Sequence, residues 1–309
     1  MSASTDVQST DVRTRPVPDR EVTARRLLAG SARRSFDPRV DVAWDEPWVE
    51  GRLFVPERAM TLFGSDLWEA MPISQRAELS RCELANGAAM GIWFEMTFLP
   101  MLVGALMRHP YPSDHLRYGL TEIADECRHS AMFSTLLDKL DRGPFPFNAI
   151  DYRLTHLLRS LPLPALSWVA VLFVEEVFDA IQRVSTADDT IQPVARQVFR
   201  IHVVEEARHI RYARDELTRT MPRVGRTGRE LLALAIGFGL GLIARARANP
   251  EMYAAAGLDA RRAQATALAN PENAAFLQTT VHRALPFFGD LGLVTPASRV
   301  LWRQAGFLP

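Results

Sequence analysis

The stretch His202-Val203-Val204-Glu205-Glu206-Ala207-Arg208-His209 places two imidazoles and a carboxylate at the spacing of one helical stripe. Each residue of an α-helix turns about 100° around the axis, so His202, Glu206 and His209 share one face and the valines point elsewhere. A buried carboxylate must be paired or must coordinate a metal, because an isolated one is very costly to remove from water. This stretch therefore predicts a helix face that binds metal.

The core of the motif occurs a second time upstream. Asp125-Glu126-Cys127-Arg128-His129 has the same acidic-Glu-x-Arg-His order as the stretch from Glu205 to His209. Two Glu-x-x-His helices, with single glutamates from two more helices, build a dinuclear carboxylate-bridged metal site inside a helical bundle. We therefore predict an all-α four-helix bundle around a pair of metal ions.

Two further apolar segments supply the single glutamates. Residues 87–107 are almost wholly apolar except for Glu95, and Glu175-Glu176 directly follow the apolar run 168–174. A lone carboxylate in a helix that is apolar all round needs a strong partner. That partner could be an arginine on a neighbouring helix. The alternation of single-Glu and Glu-x-x-His helices favours a metal.

The hydrophobic pattern also predicts where the helices lie. The four site helices are expected over residues 74–107, 113–140, 163–184 and 191–221. Ser74 and Ser113 are the expected N-caps, and Pro100 is expected to kink the first helix. A short helix over 21–32 and an extended arm from Phe36 to Trp48 precede the bundle, and helices over 231–247, 259–269 and 272–285 follow it. Residues 1–20 are polar and are expected to form a disordered tail before a single domain of residues 21–309.

The composition excludes several classes of protein. Lys plus Arg and Asp plus Glu balance at 36 each, so no net charge draws the chain to nucleic acid or to an acidic membrane. The two cysteines form no disulfide framework and no signal peptide is evident, which predicts a reduced cytoplasmic compartment. The longest apolar run, of about 14 residues from Leu231 to Ala244, is too short to span a bilayer.

The predicted metal ligands are four carboxylates and three imidazoles. They are Glu95, Glu126, His129, Glu175, His202, Glu206 and His209. Hard oxygen donors with a few imidazoles suit iron, or manganese in place of one iron, better than structural zinc. Asp125 and Glu205 are expected to accept hydrogen bonds from histidine N–H groups across the site, and Arg128 and Arg208 to pair with those acids. The alternative for these four flanking charges is an ordinary surface or interhelical salt bridge.

With these motifs the chain resembles the family of di-iron arylamine N-oxygenases, of which p-aminobenzoate N-oxygenase is the best-known kind. The distinguishing mark is a third histidine four residues before the second Glu-x-x-His, and His202 fits it. The resemblance implies a ferritin-like fold with two iron ions bridged by Glu126 and Glu206. One iron would add Glu95 and His129, and the other Glu175, His202 and His209. The family's spacing favours Glu175 over Glu176, and Glu126, Glu206 and His202 are the implied catalytic residues.

The resemblance further implies an O₂-dependent oxidation of an aryl amine to a hydroxylamine, nitroso or nitro product through a diferric peroxo species. No flavin or nicotinamide site is evident in the sequence, so electrons would come from a separate reductase or from substrate intermediates. A homodimer acting in natural-product (antibiotic) biosynthesis is expected. One departure concerns the basic residue that would hold an aminobenzoate carboxylate about one turn before the first glutamate. Met90 and Gly91 stand there, which indicates a different or larger aryl amine.

Three other kinds of protein share parts of this pattern. A ribonucleotide reductase radical subunit would carry a tyrosine at the position of Phe133. Another di-iron oxidase acting on a C–H bond remains an alternative that product identification would distinguish. An iron-oxidising or iron-handling protein is a third possibility, although the arm and the C-terminal helices exceed a compact cage-forming bundle.

Overall fold

Helix dominates the regular secondary structure of residues 17–159 and 164–309, which the computed structural model describes, and no β-strand occurs among them. In chain order the α-helices are α1 (Arg20–Arg33), α2 (Pro38–Asp41), α3 (Asp66–Ala70), α4 (Ile73–Leu106), α5 (Asp114–Leu140), α6 (Ala149–Arg159), α7 (Pro164–Ala187), α8 (Pro193–Thr220), α9 (Arg226–Arg247), α10 (Pro250–Ala255), α11 (Ala260–Ala269), α12 (Pro271–Thr280), α13 (Ala284–Asp290) and α14 (Pro296–Gln304). Short 3₁₀ turns occupy Glu57–Ala59 and Met221–Arg223. The predicted all-α class is confirmed.

Four long helices form the bundle. Helix α4 packs along α5, and α7 packs along α8, while contacts of α4 with α7 and of α5 with α8 join the two pairs. Each pair thus combines a helix that carries a single glutamate with a helix that carries a Glu-x-x-His motif. This order brings the four predicted ligand faces to the middle of one bundle.

The helix ends follow local chemistry, with one departure from expectation. Ser113 caps α5 as predicted, its hydroxyl accepting a hydrogen bond from the Leu116 N–H. The predicted cap at Ser74 is wrong, because α4 begins at Ile73 after Pro72, whose carbonyl accepts from the N–H groups of Gln75 and Arg76. Helix α4 continues through Pro100 to Leu106.

The C-terminal region is more divided than the pattern predicts. The expected single helix over 272–285 is wrong, because α12 ends at Thr280 and α13 begins at Ala284. The hydroxyls of Thr279 and Thr280 donate to the carbonyls of Phe276 and Leu277, and such local bonds compete with the helical ladder. The structure also has helices that were not predicted: α3, α6, α10, α14 and the short α2, which lies inside the arm expected to be extended. Of the expected disordered tail, residues 1–16 lie outside the described residues, and Arg20 already begins α1.

Within residues 17–159 and 164–309, two helices are long and apolar enough to cross a membrane by length and composition alone. They are α4 and the segment 226–255 that contains α9. A little more than half of the apolar window of each is buried inside the protein. Their hydrophobicity is therefore consistent with core helices of a soluble protein.

Candidate metal centre

The structure brings the seven predicted ligands together in two adjoining groups. Glu95, His129 and His202 form the first group. The second consists of Glu126, Glu175, Glu206 and His209, and within each group one ligand atom from every residue lies within 4.8 Å of the others. Six of the seven side chains are buried and Glu175 is half-buried.

Glu126 and Glu206 lie between the two Glu-x-x-His histidines. His129 Nδ1 is 3.2 Å from Glu126 Oε2 and 3.2 Å from Glu206 Oε1. His209 Nδ1 is 2.9 Å from Glu126 Oε1 and 3.3 Å from Glu206 Oε1. Each carboxylate therefore faces both imidazoles, which is the geometry that a residue bridging two metal ions requires.

His202 does not lie where the family spacing implied. Its Nε2 is 3.5 Å from Glu95 Oε1 and 3.6 Å from Glu206 Oε1. Its ring centre lies 4.6 Å from that of His129. In this structure His202 thus faces Glu95 of the first group and Glu206 of the second, and its implied pairing with Glu175 and His209 on one ion stays a prediction.

A crossed pair of hydrogen bonds fixes the two histidine rings. His129 Nε2, on α5, lies 2.9 Å from Glu205 Oε2 on α8, and His209 Nε2, on α8, lies 3.3 Å from Asp125 Oδ2 on α5. The predicted bonds from histidines to Asp125 and Glu205 across the site are thus confirmed. They leave Nδ1 of both rings directed at the carboxylates of Glu126 and Glu206, and such outer partners set the orientation of a metal-bound imidazole.

The arginines of both motifs close this outer layer. Arg128 forms an ion pair with Asp125 and lies 3.9 Å from Glu205. Arg208 lies 3.7 Å from both acids. The backbone N–H of Phe36 in the N-terminal arm also donates to Glu205, at 3.4 Å. The contacts of Arg128, Arg208 and Phe36 connect α5, α8 and the N-terminal arm around Asp125 and Glu205. The arginine–carboxylate pairs between the two helices therefore also support the site.

Glu95 has partners of its own, and none of them is the arginine considered as an alternative. The Ser130 hydroxyl, one residue beyond His129 on α5, donates to Glu95 Oε2. Gly91, one turn before Glu95, provides space for the neighbouring ring of Phe133, since a Cβ there would lie 2.8 Å from that ring. Phe133 in turn packs against His202, with ring centres 5.1 Å apart.

The choice between the adjacent acids of α7 has a structural answer. Glu175 shares the second ligand group, whereas Glu176 forms an ion pair with Arg214 outside it. Burial, reinforced by the neighbouring carboxylates Glu206 and Glu126, raises the pKa of Glu175 well above its usual value. Glu175 is therefore the ligand candidate on this helix.

This neighbouring pair gives a matched test. We expect Glu175→Gln to lower metal affinity about 10- to 100-fold, the range that loss of a group supporting a metal site covers. Glu176→Gln should leave metal affinity close to that of the unmodified protein, because its carboxylate faces Arg214. Titration of both metal-free variants with Fe²⁺ under anaerobic conditions measures the difference. Equal affinities in the two variants would contradict the assignment.

The structure adds one further acidic residue, Glu122, that the sequence pattern did not single out. Glu122 lies one turn before Glu126 on α5, is fully buried, and lines the same cavity as Glu126, Glu175 and Glu206. Burial raises its pKa well above the usual value. Its place on the stripe of Glu126 and His129 was the available signal, but a carboxylate at that spacing is common on solvated helix faces.

The chemistry of the donor set fits metal ions. Burial lowers the pKa of His129 and His209, yet the surrounding carboxylates outweigh it and raise both values well above the usual one. Glu206 Oε1 faces both histidine Nδ1 atoms, whereas its Oε2 has no hydrogen-bond partner among the described residues. Buried carboxylates need compensating positive charge, and two metal ions in place of the histidine protons would supply it. Neither cysteine belongs to the two groups, so oxygen and imidazole donors define the site.

A helical bundle that gathers paired Glu-x-x-His motifs and single glutamates around one centre defines the class of dinuclear carboxylate metalloproteins. The model of the family described as p-aminobenzoate N-oxygenase AurF matches residues 17–292. The chain belongs to this family, and with it to the di-iron oxygenases of ferritin-like fold.

Similar chains from mycobacteria have no described activity. An uncharacterized protein of Mycobacterium tuberculosis is 29% identical over 289 residues, which cover 90% of this chain and 84% of the relative. An uncharacterized protein of Mycobacterium bovis shows the same identity and the same coverage. The fold and the class of site therefore rest on the family and on the geometry above.

Proposed function

We propose that this protein is an O₂-dependent di-iron N-oxygenase that oxidises an aryl amine to a hydroxylamine, nitroso or nitro product. The observation that carries the proposal is the third histidine. His202 adds an imidazole to a site that already holds two Glu-x-x-His motifs and two single glutamates, and it lies beside Glu95 and Glu206. An additional neutral donor of this kind suits oxidation of an electron-rich nitrogen better than attack on a strong C–H bond.

The residues of the site would have separate roles in such a reaction. Two iron ions at this site would supply the binding and reduction of O₂. Glu126 and Glu206 would hold the ions together, with Glu95, His129 and His202 on one and Glu175 and His209 on the other. Asp125 and Glu205 hold the rings of His209 and His129 so that Nδ1 faces Glu126 and Glu206, the orientation in which both rings would bind the ions.

The proposal also covers the electron donor, the oligomeric state and the pathway of this enzyme. Electrons would come from a separate reductase or from oxidation of the substrate intermediates. We further propose that the protein acts as a cytoplasmic homodimer in a natural-product pathway, with manganese able to replace one iron. The aryl amine would be a small molecule.

The test combines metal content with product identification. Metal-free protein reconstituted anaerobically with Fe²⁺ is expected to hold close to two iron ions per chain, because the ligands form two groups. After addition of O₂, a reductant and a panel of aryl amines, mass spectrometry should detect N-oxygenated products. A sample kept without O₂ is the control.

Three outcomes would contradict the proposal. A single bound zinc ion would exclude the di-iron site. Two iron ions with products hydroxylated only at carbon would indicate the C–H oxidase instead. Consumption of Fe²⁺ and O₂ with deposition of ferric mineral and no organic product would indicate an iron-handling protein.

A further inference from the structure

One cavity of about 510 Å³ begins at the candidate metal centre and extends between α4 and α7. Its inner end is formed by predicted ligands of both groups together with Glu122. Away from these, apolar side chains form most of its wall: Phe94, Phe98, Leu99, Leu102, Val171 and Val174.

A second cavity, of about 630 Å³, adjoins the first and shares Phe94, Phe98 and Val174 with it. Its described lining is also apolar, apart from the hydroxyls of Thr97 and Thr155. Among the described residues that line the two cavities there is no lysine and no arginine. Within the part of the chain that the structure describes, a ligand extending from the metal centre in this direction therefore meets a mainly hydrocarbon wall and no counter-charge.

Glu122 is the polar side chain of the first cavity that belongs to neither ligand group. It is fully buried, and neither carboxyl oxygen has a hydrogen-bond partner among the described residues. A buried carboxyl group without a partner is unfavourable, so its position at the inner end of this cavity indicates that a ligand supplies the missing donor.

We propose that this cavity binds an uncharged aryl amine whose ring carries an apolar substituent, with the amine N–H donating to Glu122. The proposal rests on the proposed function and names its substrate class. The amine lies at the inner end, beside the predicted ligands, and the substituent extends past Phe94 and Phe98 towards the second cavity. A ring carboxylate in the same position would be buried without a cation, and the cavity rejects it for that reason.

Binding measured without turnover tests the substrate class. Protein loaded with Fe²⁺ is titrated anaerobically with 4-propylaniline and with 4-aminobenzoate, by calorimetry. We expect 4-propylaniline to bind at least about tenfold more tightly, because desolvating the carboxylate opposes binding of the other amine. Leu99 is a half-buried wall residue, so Leu99→Arg places a cation where it still reaches solvent. The Leu99→Arg variant should reduce or reverse the preference for 4-propylaniline over 4-aminobenzoate.

A second comparison isolates Glu122. Glu122→Leu should weaken binding of 4-propylaniline about five- to tenfold, the effect of losing one hydrogen bond. Binding of 4-propyltoluene, which lacks the amine, should be unchanged. Glu83→Gln is the matched control, since Glu83 is a partly enclosed carboxylate that accepts from Thr61 and lines a different cavity. Its affinity for both ligands should stay close to that of the unmodified protein, and iron content should be equal in all variants.

The outcomes separate this proposal from the proposed function. Tighter binding of 4-aminobenzoate than of 4-propylaniline would overturn the substrate class, while N-oxidation of either amine would keep the proposed function. Equal weakening of 4-propylaniline and 4-propyltoluene by Glu122→Leu would overturn the role of Glu122. Failure of the iron-loaded protein to bind or oxidise either amine would overturn both proposals.

Discussion

Glu206→Ala is expected to leave the protein with far less than one iron ion per chain after anaerobic reconstitution and to abolish its oxygenase activity. Glu206 faces His129 Nδ1 at 3.2 Å and His209 Nδ1 at 3.3 Å, so a single carboxylate contacts both ligand groups. Removing it takes a donor from each group at once. Metal analysis of the reconstituted variant and product formation from an accepted aryl amine measure the two losses.

Glu126→Ala should behave in the same way, because Glu126 lies 3.2 Å from His129 and 2.9 Å from His209. Glu95→Ala should instead weaken mainly one site and retain about one ion, since Glu95 belongs to the first group alone. Glu216→Ala is the matched control on α8. Glu216 is buried and paired with Arg20 and Arg219, far along the helix from the ligands.

These variants can contradict the assignment of roles. Equal metal content in Glu126→Ala, Glu206→Ala and Glu95→Ala would exclude a difference between bridging and terminal carboxylates. Loss of metal in Glu216→Ala, with helicity retained in circular dichroism, would show that any buried charge on α8 is needed and that the ligand geometry is not.

The sequence was most informative where one helical stripe has to carry several unusual residues. His202, Glu206 and His209 are fixed relative to one another by the helix itself, so their common face followed from spacing. The crossed bonds of Asp125 and Glu205 were also predictable, because the two motifs repeat the same order. The partner helix of each single glutamate depends on the register of packed helices, which no local spacing determines.

That dependence explains the errors at the site. The family resemblance implied one metal for Glu175 and His202, but these residues lie on different helices joined by a loop, and His202 lies beside Glu95. Glu122 was overlooked because its burial results from the packing of other helices against α5. Its own sequence neighbours, Thr121 and Ile123, do not distinguish it from a solvated glutamate.

The errors in the helices have equally local causes. The helical pattern of 272–285 is continuous in hydrophobicity, yet two threonine hydroxyls bond back to the backbone and end α12 at Thr280. Ser74 has the right residue type for a cap, but Pro72 lies at the point where the chain enters α4. Residue preferences at helix ends are weak, and the neighbouring residue decided the outcome here.

His202→Ala is expected to retain much of its iron and to lose aryl amine oxidation by at least about 100-fold, the upper end of what loss of a supporting metal contact costs. Six predicted ligands remain, including both bridging glutamates, so two ions can still bind. Without the imidazole, water or a shifted Glu95 side chain would take its place beside the metal. Oxidation of the amine nitrogen is expected to depend on the His202 imidazole, so activity should fall. His115→Ala is the control, since His115 is equally buried but bonds to Tyr212.

The place of His202 beside Glu95 makes a sharper form of this test possible. If His202 and Glu95 serve the same ion, His202→Ala combined with Glu95→Ala leaves His129 as the last residue of its group. About one ion per chain should remain, bound by the intact second group. His202→Ala combined with Glu175→Ala removes one donor from each group, so both ions should be weakened without either being lost selectively. Mössbauer spectra of the two iron-57-loaded double variants distinguish these patterns. The opposite result would be selective loss of one ion in the His202→Ala, Glu175→Ala double variant and retention of two ions in the His202→Ala, Glu95→Ala double variant. It would show that His202 binds the same ion as Glu175 and His209.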